Sequence, residues 1–264
     1  MEYVLEIKNV SKFFSGLVAI DDLTINVKPG QIYGIIGPNG AGKTTLFNCV
    51  TGIYAPEKGS IKYKGKDITG MPPHKIAQMG VLRTFQNIRL FKEMSVAENI
   101  MAGYHTKSKQ KWYHSIIHNS FYKKDELESW KKVEELMNFF DLSDLATTPT
   151  GDLSYGKQRK VEMARALAAS PELLILDEPA AGLNENETIE LTKIIKSISE
   201  MNIGIMMIEH DMDMVMNLTD YITVINFGKE ISQGVPSFVQ DDPRVIEAYI
   251  GSDDENDKED ANGK

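Results

Sequence analysis

Residues 31–45 read QIYGIIGPNGAGKTT, and the fold of the 264-residue chain is decided there. QIYGIIG is a short apolar run that enters a glycine-rich turn directly, and TTLFNCVTG behind it predicts a helix closed by Gly52. Strand, loop and helix in that order form one α/β unit. Gly37, Gly42, Lys43 and Thr44 fit the pattern G-x-x-x-x-G-K-[ST]. Glycines let backbone N–H groups turn inward around phosphate oxygens, the lysine adds a positive charge, and the threonine hydroxyl can ligate Mg2+. The expected ligand is a nucleoside triphosphate, cradled by Gly37, Pro38, Asn39, Gly40, Ala41, Gly42, Lys43, Thr44 and Thr45.

Upstream, EYVLEIKNV and LTINVKPG alternate in polarity, with Leu23, Ile25 and Val27 in phase, as half-buried strands do. SIKYKGKDI predicts a hairpin turning at Lys64-Gly65, so the opening third reads as a small sheet with one solvated face. Downstream, Ser95 and Glu98 have capping-box spacing ahead of a helix, and a longer helix is expected from Asp125 to Phe140. A helix from Ser154, the apolar strand LLIL, a helix over 186–200, the strand IGIMMI and a hairpin in YITVINFGKEI follow. Strands alternating with helices argue for a mainly parallel sheet covered on both faces.

LLILDEP puts Asp177 and Glu178 at the carboxyl edge of a buried strand, where open α/β sheets bind ligands. Beside a phosphate loop the pair divides by role: Asp177 serves the Mg2+ shell, and Glu178 can accept a proton from an attacking water. His210 ends the strand IMMIE, where an imidazole could bond the γ-phosphate, although a lone histidine there is more often structural. Methionines crowd MNIGIMMIEHDMDMVMN, for which core filling is the plainer reading.

LSYGKQRKVEMARAL, from Leu153 to Leu167, opens a second helix with a serine and a glycine. Its unpaired N–H groups suit an anion, although serine is a favoured N-cap anywhere. Taken together, these motifs resemble the nucleotide-binding subunit of an ABC transporter. LSYGKQ resembles that family's LSGGQ signature, with Tyr155 at one of its glycine positions and Lys157 at the glutamine.

The resemblance implies an α/β fold: a P-loop NTPase (ABC ATPase) core, an N-terminal antiparallel β subdomain and a helical signature subdomain at about 88–168. It implies one ABC ATPase domain over 1–250, with ATP and Mg2+ as cofactors. Two chains, the same or homologous, would pack head to tail, each presenting Leu153, Ser154 and Gly156 to the partner's ATP. Gln86, in RTFQ, resembles the glutamine that reaches Mg2+ and the attacking water, so that Thr44, Gln86 and Asp177 form the metal set and Glu178, His210 and Gln86 the catalytic one. Phe14, five residues before Ala19, falls where an aromatic stacks on adenine, and AAGLN (180–184) resembles the loop that signals across the dimer.

GVLRTFQNIRLFKEMSVAENI, LDEPAAGLNENET, IEHDM and PRVIEAYIG are similar to ATPases of branched-chain amino-acid importers. That implies two membrane permease subunits, met near Leu90 to Ser95, and indirectly a solute-binding protein. Other cargoes, such as urea or lipopolysaccharide, and a soluble non-transport ATPase are the alternatives; soluble forms usually carry two cassettes, and this chain has one phosphate loop.

Composition agrees. Apolar content of 42 % and charged content of 25 % are those of a folding globular chain. No apolar run reaches the roughly 18 residues of a membrane span, and MEYVLEIKNV lacks signal-peptide order, so the expected location is the cytoplasmic face of the membrane, peripherally. The lone Cys49 forms no internal disulfide and reads as a small buried residue. Residues 251–264 hold six acids and two lysines, hence four of the nine net negative charges, and read as an acidic disordered tail. That balance argues against nucleic acid. The lysines and aromatics of 105–124 read as a solvated loop or helix, and His114 with His118 lacks a third ligand for a metal.

Overall fold

The computed structural model describes residues 2–105 and 120–249. Residues 106–119, with His114 and His118, and the acidic tail lie outside the described residues, together with the expectations placed on them.

Two sheets build the body. β1 (Leu5–Phe14), β2 (Leu17–Val27), β4 (Lys58–Tyr63) and β5 (Lys66–Asp67) form an antiparallel sheet in the order β2-β1-β4-β5. β3 (Ile32–Ile36), β6 (Val81–Arg83), β7 (Leu173–Asp177), β8 (Gly204–Ile208), β9 (Tyr221–Asn226) and β10 (Lys229–Gly234) form the other, in the order β10-β9-β3-β8-β7-β6. It is parallel except for the β9–β10 hairpin.

Every residue of β3, β7 and β8 is buried, which is why they read as continuous apolar runs: both faces are covered. Successive residues serve opposite faces. Ile35, Ile175, Met206 and Ile208 pack with Leu46, Phe47 and Val50 of α1 (Lys43–Val50) and with Leu5, Ile7, Leu23 and Ile25 of the antiparallel sheet. Leu174, Leu176, Ile205 and Met207 face α3 (Val96–His105), α4 (Ser120–Phe139), α5 (Tyr155–Ala168) and α6 (Glu185–Glu200). A smaller cluster joins Ile36 and Val224 to Val215 of α7 (Met212–Leu218), Val239 of α8 (Pro236–Gln240) and Val245. The methionines at 206, 207 and 214 fill core, as their sequence context implied.

Both expected hairpins form. Lys64 and Gly65 have φ of 52° and 74°, and Phe227 and Gly228 have 46° and 78°, the left-handed pairs that two-residue turns require. Some boundaries differ. β1 runs on to Phe14, because bulges after Ile7 and Val10 break the alternation while pairing with β2 continues to Phe14↔Leu17. α4 begins at Ser120 rather than Asp125. β6 and α2 (Pro73–Met79) were not legible, being too short to show a period.

Candidate nucleotide site

The strand order sets β3, β8 and β7 side by side and parallel, so their carboxyl ends share one edge. β3 ends in the glycine loop, β7 in Asp177 and Glu178, and β8 in Glu209 and His210. Residues scattered over 173 positions of sequence from Gly37 to His210 thus meet at one crevice edge.

The loop is shaped by contact as much as by flexibility. Gly37 and Gly42 have φ of 147° and 106°, and a Cβ on either would collide with a backbone oxygen, that of Ile225 or of Ala19. Lys43 is 6 % exposed and folds back to donate to the carbonyls of Gly37 (2.5 Å) and Pro38 (2.9 Å). Burial lowers its pKa, and the negative charge of Glu178 pulls the other way, so the carboxylate lies within electrostatic reach of the loop. Thr44 stands exposed in the first turn of α1, which no side chain caps. Those first-turn N–H groups are the donors an anion takes up.

Glu178 sits at the centre. Its φ of 47° is left-handed, a sparsely populated conformation for a non-glycine residue, and its N–H donates to Ile208 O at 2.9 Å. One carboxylate oxygen accepts from Gln86 Nε2 at 2.6 Å; the other lies 3.1 Å from His210 Nε2, a hydrogen bond when that nitrogen carries the proton. Two of the three residues expected to be catalytic, Gln86 and His210, thus each meet the third, Glu178.

Asp177 is 7 % exposed and pairs with Arg83 at the end of β6. Arg83 also donates to Asn48 Oδ1 and lies over the rings of Phe47 and Phe85. Glu209 accepts from the N–H of Ala180 (2.6 Å) and of His210 (3.0 Å), tying the AAGLN loop to the end of β8. Burial pushes its carboxyl pKa up, opposed by those amides. Sequence reasoning missed both residues; the only trace was an acid closing an otherwise apolar strand, in IMMIE.

Phe14 ends β1, 36 % exposed and edge-on to Tyr54 with centroids 5.1 Å apart, while Lys12 Nζ lies 5.0 Å from its ring centroid. The Ala19 carbonyl on the paired strand abuts Gly42, which brings this hairpin to the loop.

The start of α5 lies elsewhere in the chain. Ser154 occupies its N-cap without making a side-chain cap bond, unlike Asn184 and Ser95, which complete capping boxes on α6 and α3. Plain capping therefore does not account for Ser154. Ser154, Gly156 and Lys157 line a cleft of about 140 Å³ with Leu183, Glu187 and Glu190, and no residue of 37–45 lines it. Arg159, 1 % exposed, was also missed: it donates to the carbonyls of Phe85 and Gln86 and to Glu162. Its hint was the i, i+3 spacing to an acid on the buried face.

The residues expected to hold a metal would offer oxygens: the Thr44 hydroxyl, the Asp177 carboxylate, which pairs with Arg83, and the Gln86 amide oxygen, whose nitrogen is engaged with Glu178. Among the described residues no cluster of three His, Cys, Asp or Glu side chains placed for a metal occurs. Mg2+ suits that set, since it takes few protein ligands and fills its octahedron with phosphate oxygens and water.

Comparison with known proteins agrees with this geometry. The family model described as ABC transporter matches residues 20–181, and one described as branched-chain amino acid ATP-binding cassette transporter matches 229–255. The chain is similar to the high-affinity branched-chain amino acid transport ATP-binding protein BraF of Pseudomonas aeruginosa, 42 % identical over 94 % of this chain and 98 % of that protein. LivG of Escherichia coli, which bears the same description, is 39 % identical over the same shares. Among solved structures, a nucleotide-free ATP-binding cassette from an ABC transporter superposes with a TM-score of 0.81 at 32 % identity, covering 94 % of this chain and 98 % of that one. A cassette in its ADP conformation gives 0.81 and 32 %, over 95 % and 100 %.

Proposed function

The chain belongs to the ABC transporter family as an ATP-binding cassette, and from that premise we propose that it hydrolyses ATP to drive import of branched-chain amino acids through membrane permease subunits. The observation that carries the catalytic part is the Glu178 carboxylate, held between Gln86 and His210 beside the phosphate loop. The cargo rests on the likeness to BraF and LivG.

Residues 37–45 receive the phosphates, with Lys43 turning from loop carbonyls to phosphate oxygens, and Phe14 stacks on adenine. Glu178 takes the proton of a water as that water attacks the γ-phosphorus and the bond to the bridging oxygen of ADP breaks, giving ADP and phosphate. Gln86 must first release the carboxylate and orient that water; His210 bonds the γ-phosphate. Mg2+, held by Thr44, Gln86 and Asp177, neutralises phosphate charge when bound.

A second ATPase chain, the same or homologous, packs head to tail and covers the γ-phosphate with Leu153, Ser154 and Gly156. Residues 1–250 act as one cassette, with a helical signature subdomain at about 88–168. A cleft of about 330 Å³ beside the Gln86 loop, where Leu82, Phe91 and Ala166 lie among Arg83, Glu162 and Arg165, suits a permease's cytoplasmic loop, and Phe91 is 55 % exposed there. A solute-binding protein acts through the permeases. Among the described residues no helix is long and apolar enough to cross a membrane, which fits peripheral attachment at the cytoplasmic face.

The test is co-expression with permease subunits of a branched-chain amino-acid importer. The chain should co-purify from membranes, and vesicles should take up leucine, isoleucine or valine only with ATP. A chain recovered wholly without permease, or uptake indifferent to it, overturns the transport role.

A further inference from the structure

Among the described residues the largest fully buried side chain is a charged one, Arg159 of α5. Burying a guanidinium is costly unless it is paired and hydrogen-bonded, and a buried ion pair adds little net stability over apolar packing of the same volume. What this side chain holds therefore matters more than its burial. Its Nη1 donates to Phe85 O and to Glu162 Oε2, both at 2.8 Å, and its Nη2 to Gln86 O at 2.8 Å and to the Tyr155 hydroxyl at 3.2 Å. The other Glu162 oxygen accepts from the Arg89 N–H at 3.3 Å.

α5 thus holds the backbone of residues 85–89 at two carbonyls and one N–H, through side chains one helical turn apart. The sheet's own hold on this stretch comes before it: β6 stops at Arg83, and Thr84 N–H donates to Ile175 O at 2.9 Å. Gln86 stands inside the part that α5 grips, and its Nε2 reaches the Glu178 carboxylate at 2.6 Å. The Tyr155 hydroxyl, 3.5 Å from Gln86 O, closes the group from the solvent side, where Tyr155 is 40 % exposed. A flexible amide side chain keeps one direction only where its own peptide is fixed, and here that fixing comes from the helix.

We propose that Arg159, braced by Glu162 and Tyr155, is a positioning residue for ATP hydrolysis: it fixes the Gln86 peptide on α5, and with it the direction from which the Gln86 amide meets Glu178 and the attacking water. This rests on the reading of Gln86 as the residue that orients that water. Arg159, 1 % exposed, acts through the Gln86 backbone and not on the nucleotide.

Arg159→Lys keeps a positive charge beside Glu162, but one ammonium cannot span two carbonyls, an acid and a hydroxyl as the planar fork does. Hydrolysis of ATP with Mg2+ by the full chain should be measured for this variant, for Gln86→Ala and for the two changes together, in single turnovers where the steady state is too slow. Equilibrium binding of ATP is measured alongside. Misplacing a catalytic group by about 1 Å costs up to about 100-fold, so kcat of Arg159→Lys should fall about 10- to 100-fold while Kd for ATP stays within about twofold. In the Gln86→Ala background the same change should cost less than about twofold more, because the side chain it places is already gone. Tyr155→Phe leaves the ring against Gly182 and removes one acceptor from the fork; it should lower kcat about two- to tenfold, the size that loss of one hydrogen bond gives, and only where Gln86 is present. If Arg159→Lys does not fold, Tyr155→Phe decides by the same comparison.

A purely structural Arg159 gives a different pattern: a lowered thermal midpoint with kcat intact, or a loss that multiplies with that of Gln86→Ala. Either result, or a weakened Kd for ATP with kcat unchanged, overturns the inference. Gln86→Ala separates the two readings. If it turns over as fast as the parent chain, the reading of Gln86 fails and this inference with it. If it is slow while Arg159→Lys is not, the inference fails alone.

Discussion

Glu178 holds a left-handed backbone that costs of the order of 1–3 kcal/mol in a non-glycine residue. The strain is offset by the Glu178 N–H bond to Ile208 O, and it aims the carboxylate between Gln86 and His210. Glu178→Gln preserves shape and removes basicity. Loss of a general base typically costs about 100- to 10,000-fold in rate, so kcat should fall at least about 100-fold while ATP affinity changes little. Steady-state hydrolysis alongside equilibrium ATP binding checks this; normal turnover would remove Glu178 as base. Glu178, Gln86 and His210 were legible because each stands in a motif whose neighbours fix its position. Arg83 and Glu209 were not, because what they do depends on pairing across the sheet: Arg83 meets Asp177, 94 positions later, only since β6 lies beside β7.

At the scale of elements, α5 is joined to two loops rather than standing free. Arg159 holds the carbonyls of Phe85 and Gln86, and the Tyr155 ring lies against Gly182, where a Cβ would come within 3.2 Å of it. Gly156 is buried against Glu187, the N3 residue of the α6 capping box, which binds the Asn184 N–H at 3.0 Å. A Cβ there would collide with the Glu187 carboxylate and come within 2.8 Å of its carbon, so Gly156→Ala must push that side chain out of the box. Losing the cap should lower unfolding free energy by about 1 kcal/mol, read from urea denaturation. An unchanged midpoint would mean that the glycine serves only what lies outside its own chain. The serine and glycine of LSYG were visible in sequence as an anion end; the packing demand on Gly156 was not, since Glu187 sits 31 positions on with no local pattern linking the two. β3, β7 and β8 were legible because full burial leaves an unbroken apolar run, whereas three-residue β6 leaves nothing periodic to read.

Among the described residues, the helix starts at Gly42 and at Ser154 both lack a side-chain cap, and they lie in separate places of one chain. One nucleotide can use both only if a second chain supplies the second. On the function proposed above, ATP holds two chains together across its γ-phosphate and hydrolysis lets them part, turning nucleotide state into force on the permeases. The most direct measurement is the mass in solution of the Glu178→Gln chain with Mg2+ and ATP, alone and with Ser154→Arg added. Expected is a two-chain particle of twice 29.6 kDa that falls apart on exchange into ADP, whereas the chain carrying Ser154→Arg stays single with ATP still bound. A single chain at saturating ATP without that second change, or pairing that survives it, would contradict the sandwich.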